Sequence, residues 1–371
     1  MGATRERNWG IDLLRIVSML MVVILHVLGQ GGVLKSSEPL STSWSIAWLL
    51  EIMAYCAVNC YALISGYVGV NSKMKYSNIA YMWLQVAFYT VLISAVFAYL
   101  TPEVTKMDVL KAFFPVSKSY YWYFTAYFAI FFLTPVFNKA LNALTTKQMY
   151  ALGIAIIILF SLIPSHKKTD PFYENNGYSA LWLMMLYILG GIINKCEIIK
   201  KVKGYVAVIG YFAVIGITWA QKYFIERHNM LVPDDKMKVT LVSYVSPTIL
   251  LAGVFLLIAF SKIKVAKIPQ KLISFFAPLS FSVYLIHVHK YIWKYVMKDR
   301  FVAYAQFGVL KMVLCVLATA LAIYLICSLF DFVRDRLFKL FRVRELLVKI
   351  ENKIFKNLWT QDKETLSKAE N

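Results

Sequence analysis

What the chain has little of is charge. Only 16% of its 371 residues are charged, against about a quarter in a soluble domain. Hydrophobic residues make up 60% and the mean hydropathy is +0.61. Those figures exclude a water-soluble globule and point to an integral membrane protein. Cysteine is scarce too: five residues, an odd number with no disulfide pattern. Cys56 and Cys60 share a helix face, but no His or carboxylate stands at a ligand spacing, so no metal centre is expected. They read as small buried hydrophobes. Acidic residues number 20 against 40 Lys and Arg, leaving +20. Such an excess can mark a nucleic-acid binder. Here the cations gather in short loops and a tail, where they orient helices and meet anionic membrane lipid, so no nucleic acid is expected. The chain also lacks the period-two alternation of a membrane barrel, and shows no soluble domain, linker or internal repeat. The first apolar run is too long for a signal peptide and no small-residue cleavage site follows, so it is expected to stay as helix one.

What is present is a series of apolar runs, several reaching the ~20 residues that cross a hydrocarbon core. About ten spans are expected, at 9–30, 44–70, 78–100, 120–138, 149–163, 180–194, 204–222, 241–261, 272–293 and 308–330. The fifth and sixth are short. Backbone groups in lipid must be satisfied within the segment, so an all-α polytopic bundle is the expected fold. An even count puts both termini on one side. The positive-inside rule makes that side cytoplasmic, since Arg5, Arg7, Lys73, Lys75, Lys195, Lys200, Lys201, Lys203, Lys262, Lys264, Lys267 and Lys271 fall there, with Arg334, Arg336, Lys339, Arg342 and Arg344 in the tail. Residues 1–330 form the expected membrane domain. Residues 331–371 form a basic tail in which Val333, Leu337, Leu340, Leu347, Ile354 and Leu358 recur near helical spacing. That pattern suits an amphipathic helix lying in the cytoplasmic interface.

Titratable groups inside the bilayer are costly, so each is a candidate for function. Arg15 and His26 lie in the first run with ten residues between them. Eleven steps at ~100° return a helix to within ~20° of one face, with the side chains roughly 16 Å apart along the axis. Asp12 lies one turn below Arg15 and Gln30 one turn above His26, so helix one carries a polar stripe. Depth reckoning sets His287 of the ninth span and Glu51 of the second in the layer of His26. Tyr55 and Asn59 continue a stripe from Glu51. Ser280, Tyr284 and His287 share one face of the ninth span, with Ser282 and His289 on a neighbouring one. A neutral imidazole can take a proton from a hydroxyl, and a nearby carboxylate can hold its tautomer; acyl transfer to an alcohol needs this. The plainer reading makes these groups structural hydrogen-bonders. It suits His289, and His166 and His228 have no chemical role in view. Trp122 and Tyr123 open the fourth span and read either as an interfacial aromatic belt or as the wall of an acceptor site.

These residues resemble the integral-membrane acyltransferase-3 family, which O-acylates sugars and related acceptors. RNWGIDLLRIVSMLMVVILH carries the family's Arg, ten residues and His in the first helix. ALISGY at 62–67, WYF at 122–124 and FSVYLIHVH at 281–289 are similar to later landmarks, in the same order. The family's Arg-x-x-Arg pair after the second helix is replaced by KMK, with Lys73 and Lys75 as point charges lacking the Arg fork. The resemblance implies a multi-pass protein of the bacterial plasma membrane with no permanently bound cofactor. Its donor substrate is acyl-CoA, most often acetyl-CoA, and its acceptor a sugar or polysaccharide. Donor phosphates are then expected near Arg15, Lys73 and Lys75, with His26 as general base or as acyl carrier. Glu51 or His287 would orient His26, and Asn59, Tyr284 or Ser282 would polarise the thioester. A glycolipid or small-molecule transporter is the rival expectation, since polar stripes suit a transport path equally well.

Overall fold

The computed structural model describes residues 7–166 and 170–355, which form helices and, among the described residues, no strand. Arg5, Leu358 and the rest of the tail beyond Phe355 lie outside the described residues.

The first helix, α1 (Trp9–Leu28), starts where the Asn8 side chain accepts from the Ile11 amide, an N-cap that satisfies one of the first-turn donors. The second expected span is two helices, α2 (Thr42–Tyr55) and α3 (Ala57–Gly69), separated at Cys56. Then come α4 (Tyr76–Leu100), α5 (Trp122–Ala143) and α6 (Thr146–His166). The fifth span, expected to be short, is extended at its start by a reciprocal cap between Thr145 and Gln148, an arrangement that holds two orphan donors at once. α7 (Ala180–Lys195) is short, as expected. α8 is Gly204–Leu231, α9 Pro247–Ser261, α10 Lys267–His287 and α11 Lys290–Met297. α10 and α11 form a broken pair bent by 57°.

Two expectations about span limits need correction. The span placed at 241–261 is helical only from Pro247. Ser246 caps the helix, Pro247 fills its first turn, and the Leu241 amide is held instead by Gln221 Oε1 at 2.9 Å. The last span does not end at 330: α12 runs from Val309 to Leu340, and only then follows α13 (Val343–Phe355). Asp331 and Arg334, expected at the start of the basic interfacial tail, are buried. Among the described residues, seven helices are long and apolar enough to cross a membrane, counting α2–α3 as one, or eight with the bent pair; α7 and α9 are shorter apolar helices at two further expected positions.

α1 is the hub, touching α2, α3, α9, α10 and α12. α3 and α7 cross at van der Waals limits. A Cβ on Gly66 would lie 1.8 Å from the Tyr187 carbonyl oxygen, and one on Gly190 2.2 Å from that of Leu63. Small residues are what let two backbones approach this closely in a membrane bundle. The crossing fixes α3 against α7, and α3 carries Val58 and Tyr61 into the lining of a cavity on α1.

Candidate active site

The cavity measures about 370 Å³, within the range of small-molecule sites. α1 supplies Met19, Val22, Leu25 and His26, a single face ascending from just above Arg15, and Gly29 and Gln30 follow at its end. The sequence stripe is therefore polar at its two ends and apolar between them. Glu51, Tyr55, Trp122, Tyr123, Tyr178, Tyr244, Tyr284 and Trp293 close the other sides. Trp122 and Tyr123 thus face inward and belong to the wall of the cavity.

His26 and His287 meet. Nδ1 of His26 lies 2.8 Å from Nε2 of His287, whose own Nδ1 lies 2.5 Å from the Val283 carbonyl oxygen. A carbonyl only accepts, so Nδ1 of a neutral His287 carries its proton and Nε2 presents a lone pair. Nδ1–H of His26 donates to that lone pair. Nε2 of His26 is left with its lone pair, the form of imidazole that can take a proton. The tautomer of one histidine is thus dictated through the other by a backbone carbonyl. The indole of Trp293 stands edge-on to the His26 ring at 4.7 Å between centroids and fixes its plane.

Glu51 lies in the same cavity, buried, with Oε2 unpartnered among the described residues. The structure sets it among Tyr55 and Tyr244, and His287 is the group bonded to His26. Tyr284 also faces the cavity, with a buried hydroxyl that has no partner among the described residues.

Two expected substrate contacts are turned elsewhere. Ser282 donates to Asp331 at 2.6 Å and accepts from Gln85 at 2.5 Å, on the face of α10 away from the cavity. Asn59 donates to the Tyr244 carbonyl at 2.8 Å and accepts from Trp182 Nε1 at 3.2 Å. It pins the loop before α9 without lining the cavity. His289 caps α11, accepting from the Tyr291 amide.

At the lower end, Asp12 accepts from Arg15 and, at 2.6 Å, from Arg7. Arg15 keeps a third of its side-chain surface exposed. Tyr61 links the two ends: it lines the cavity and its hydroxyl donates to the Arg15 carbonyl at 2.7 Å. Lys73 and Lys75 are exposed in the loop before α4. The aromatic wall partners Tyr178, Tyr244 and Trp293 were not legible as site residues. Tyr178 lies in a loop, Tyr244 stands inside the expected span 241–261 but ahead of the helix that begins at Pro247, and Trp293 lies beyond the α10 break.

A helical bundle whose cavity is lined by a histidine bonded to a second histidine is a class of arrangement that comparison with known proteins narrows. Within that class, the family model described as an acyltransferase domain matches residues 8–331. The chain belongs to the acyltransferase-3 family, and it is a membrane protein of acyltransferase type. No curated protein and no solved structure matches it.

Proposed function

We propose that the protein transfers an acyl group, with acetyl as the default, from cytoplasmic acyl-CoA to a hydroxyl of a sugar at the outer side of a bacterial plasma membrane. The observation that carries this is the His26–His287–Val283 chain, which leaves one imidazole lone pair at the cavity wall. In this reading both termini are cytoplasmic and α13 lies along the cytoplasmic surface. Leu346, Ile350 and Ile354 expose an apolar row there between cationic side chains, as an interfacial helix would.

The cavity is too small for a whole acyl-CoA. The nucleotide therefore lies outside it, its phosphates near Arg15, Lys73 and Lys75, while the pantetheine arm follows Met19 and Val22 upward. His26 Nε2 accepts the proton of the acceptor hydroxyl as that oxygen bonds to the thioester carbonyl carbon. The carbonyl oxygen becomes an oxyanion and takes a hydrogen bond from Tyr284. Collapse breaks the carbon–sulfur bond, and His26 returns its proton to the departing CoA thiolate. The proton balance closes, and His287 holds the tautomer throughout. Acylation of His26 itself is the competing order of events, and a trapped acyl-imidazole would replace the direct route.

The test uses detergent-purified protein, acetyl-CoA and a sugar acceptor. His26→Ala is expected to lose transfer while acetyl-CoA still raises the melting temperature as in wild type. Equal transfer by wild type and His26→Ala would refute the assignment. Absence of transfer combined with substrate uptake into vesicles would favour a transporter.

A further inference from the structure

A second cavity, of about 560 Å³, lies beyond the first at the end remote from Arg15. The end of α6 forms its floor with Ser165, the loop before α7 contributes Asp170, Glu174 and Asn176, and the loop before α9 contributes Lys236, Lys238 and Ser243. The two cavities share one wall. Asn176 and Ser243 face the outer space, while Tyr178 and Tyr244, two and one residues further on, face the inner one with their rings 5.0 Å apart. The wall is held in an unusual backbone path, with Tyr173, Asn175, Asn176 and Gly177 all at positive φ. Such clusters are held only where surroundings over-determine them. Ser243 Oγ donates to the Asn176 carbonyl at 3.3 Å, and a Cβ on Gly177 would lie 2.5 Å from that of Tyr244.

Glu174 is the anomaly in this wall. It is 1% exposed, yet neither carboxyl oxygen has a hydrogen-bond partner among the described residues. Ser165 Oγ, in the same cavity, is likewise buried and unpartnered among them. Buried polar atoms are almost always satisfied, so two residues of one cavity lining that both carry unpartnered buried atoms call for a ligand. We propose that the outer cavity binds an uncharged, hydroxyl-rich chain, held by Glu174 and Ser165.

The charges around it decide the ligand class. Asp170 spends both oxygens on the Glu174 and Asn175 amides, at 2.8 and 2.6 Å. Among the described residues, the other formal charges of the lining are Asp235 against Lys236 and Lys238, which with Asp170 sum to zero and favour neither an anion nor a cation. Burial, reinforced by Asp170, pushes the Glu174 carboxyl up to about 8. It is therefore a neutral acid near pH 7, able to donate one hydrogen bond and accept another. A hydroxyl offers the same pair of functions.

The inference rests on the acyl-transfer reading for its biological sense: the outer cavity then holds the part of the acceptor that does not react, one wall away from His26. Its test does not depend on transfer. Binding of maltose, cellobiose and chitobiose to the purified full chain would be measured by calorimetry, beside spermidine and gluconate as charged probes. At least one neutral disaccharide is expected to bind. Glu174→Ala and Ser165→Val are each expected to weaken it by about tenfold, while Glu174→Gln, which keeps a donor and an acceptor, stays within about threefold. His26→Ala should bind the disaccharide as wild type does, which separates failure of this site from failure of the catalytic assignment. No binding by any of the three disaccharides, tighter binding of spermidine or gluconate, or equal loss in Glu174→Gln and Glu174→Ala would overturn the proposal. Should Glu174→Ala not fold, Ser165→Val against Glu174→Gln makes the same decision.

Discussion

Two buried polar clusters sit five residues apart on α10, and they obey opposite rules. Around Ser282 every valence is filled. Asp331 accepts from Ser282 at 2.6 Å, from Tyr89 at 2.8 Å and from Arg334 at 2.8 and 2.9 Å, while Arg334 also donates to Tyr81 at 2.9 Å. Ser282 has both its donor and an acceptor engaged, and it lines none of the described cavities. Around His287 the chain of bonds ends in a lone pair on His26, and Tyr284 and Glu51 of the same cavity lining carry buried oxygens with no partner among the described residues. Burial of polar groups alone does not mark a site. Saturation marks structure, and unfilled valence beside a void marks chemistry.

That contrast is sharpest when each cluster loses its central member. His26→Ala is expected to cut transfer by about 10²–10⁴-fold, the worth of a positioned general base, with the melting temperature little changed. Asp331→Ala is expected to do the reverse. It strands the Arg334 guanidinium in a buried site at a cost of about 3–5 kcal/mol, seen as a large loss of thermal stability, with activity per folded molecule retained. If Asp331→Ala were stable and inactive, the saturated cluster would belong to the reaction and the comparison would collapse.

Smaller changes refine it. His287→Phe leaves the His26 ring in place but frees its tautomer. An intermediate loss is expected, about 10–100-fold in kcat with KM for acyl-CoA unchanged. Arg15→Ala is expected to act on the other kinetic parameter, raising KM for acyl-CoA severalfold while kcat holds, in a saturation series. Glu174 should produce the mildest effect. Its carboxyl, carried from the ordinary 4.5 to about 8 by burial and then by Asp170, favours the proton in the folded protein. The stability it contributes is complete below about 4.5, erodes as pH rises, and is gone above about 8. A melting temperature that declines across that window in wild type, and less steeply in Glu174→Gln, is the expected result.

Much of the inner site was legible in the sequence because helical geometry carries far in a membrane. The Arg15–His26 spacing predicted one face, and depth reckoning set His287 beside His26, where the structure finds it. Glu51 lines the same cavity, but His287 is the group bonded to His26, since depth fixes height and says nothing of azimuth. Ser282 failed for a related reason. Its neighbouring face of α10 was recognised, but the partner on that face was hidden, because Asp331 and Arg334 look like the first charges of the basic interfacial tail. Three residues apart on a helix they neutralise one another, and the pair can enter a bilayer that either alone would resist. Tyr178 and Tyr244 were out of reach altogether. Loop residues acquire their place from the segments around them, here from Asn59 holding the Tyr244 carbonyl.

The start of α4 has no cap of its own: Lys75 offers no acceptor, and Glu351 of α13 receives the Tyr76 amide at 2.6 Å and the Ser77 amide at 3.2 Å. An early helix is thus closed by a carboxylate translated 275 residues later. The first turn of α4, next to Lys73 and Lys75, depends on the docking of α13 for its side-chain cap. The loop proposed to meet the nucleotide therefore takes its final shape only in a molecule translated as far as Glu351, which ties maturation of the donor side to completion of the ribosome's task.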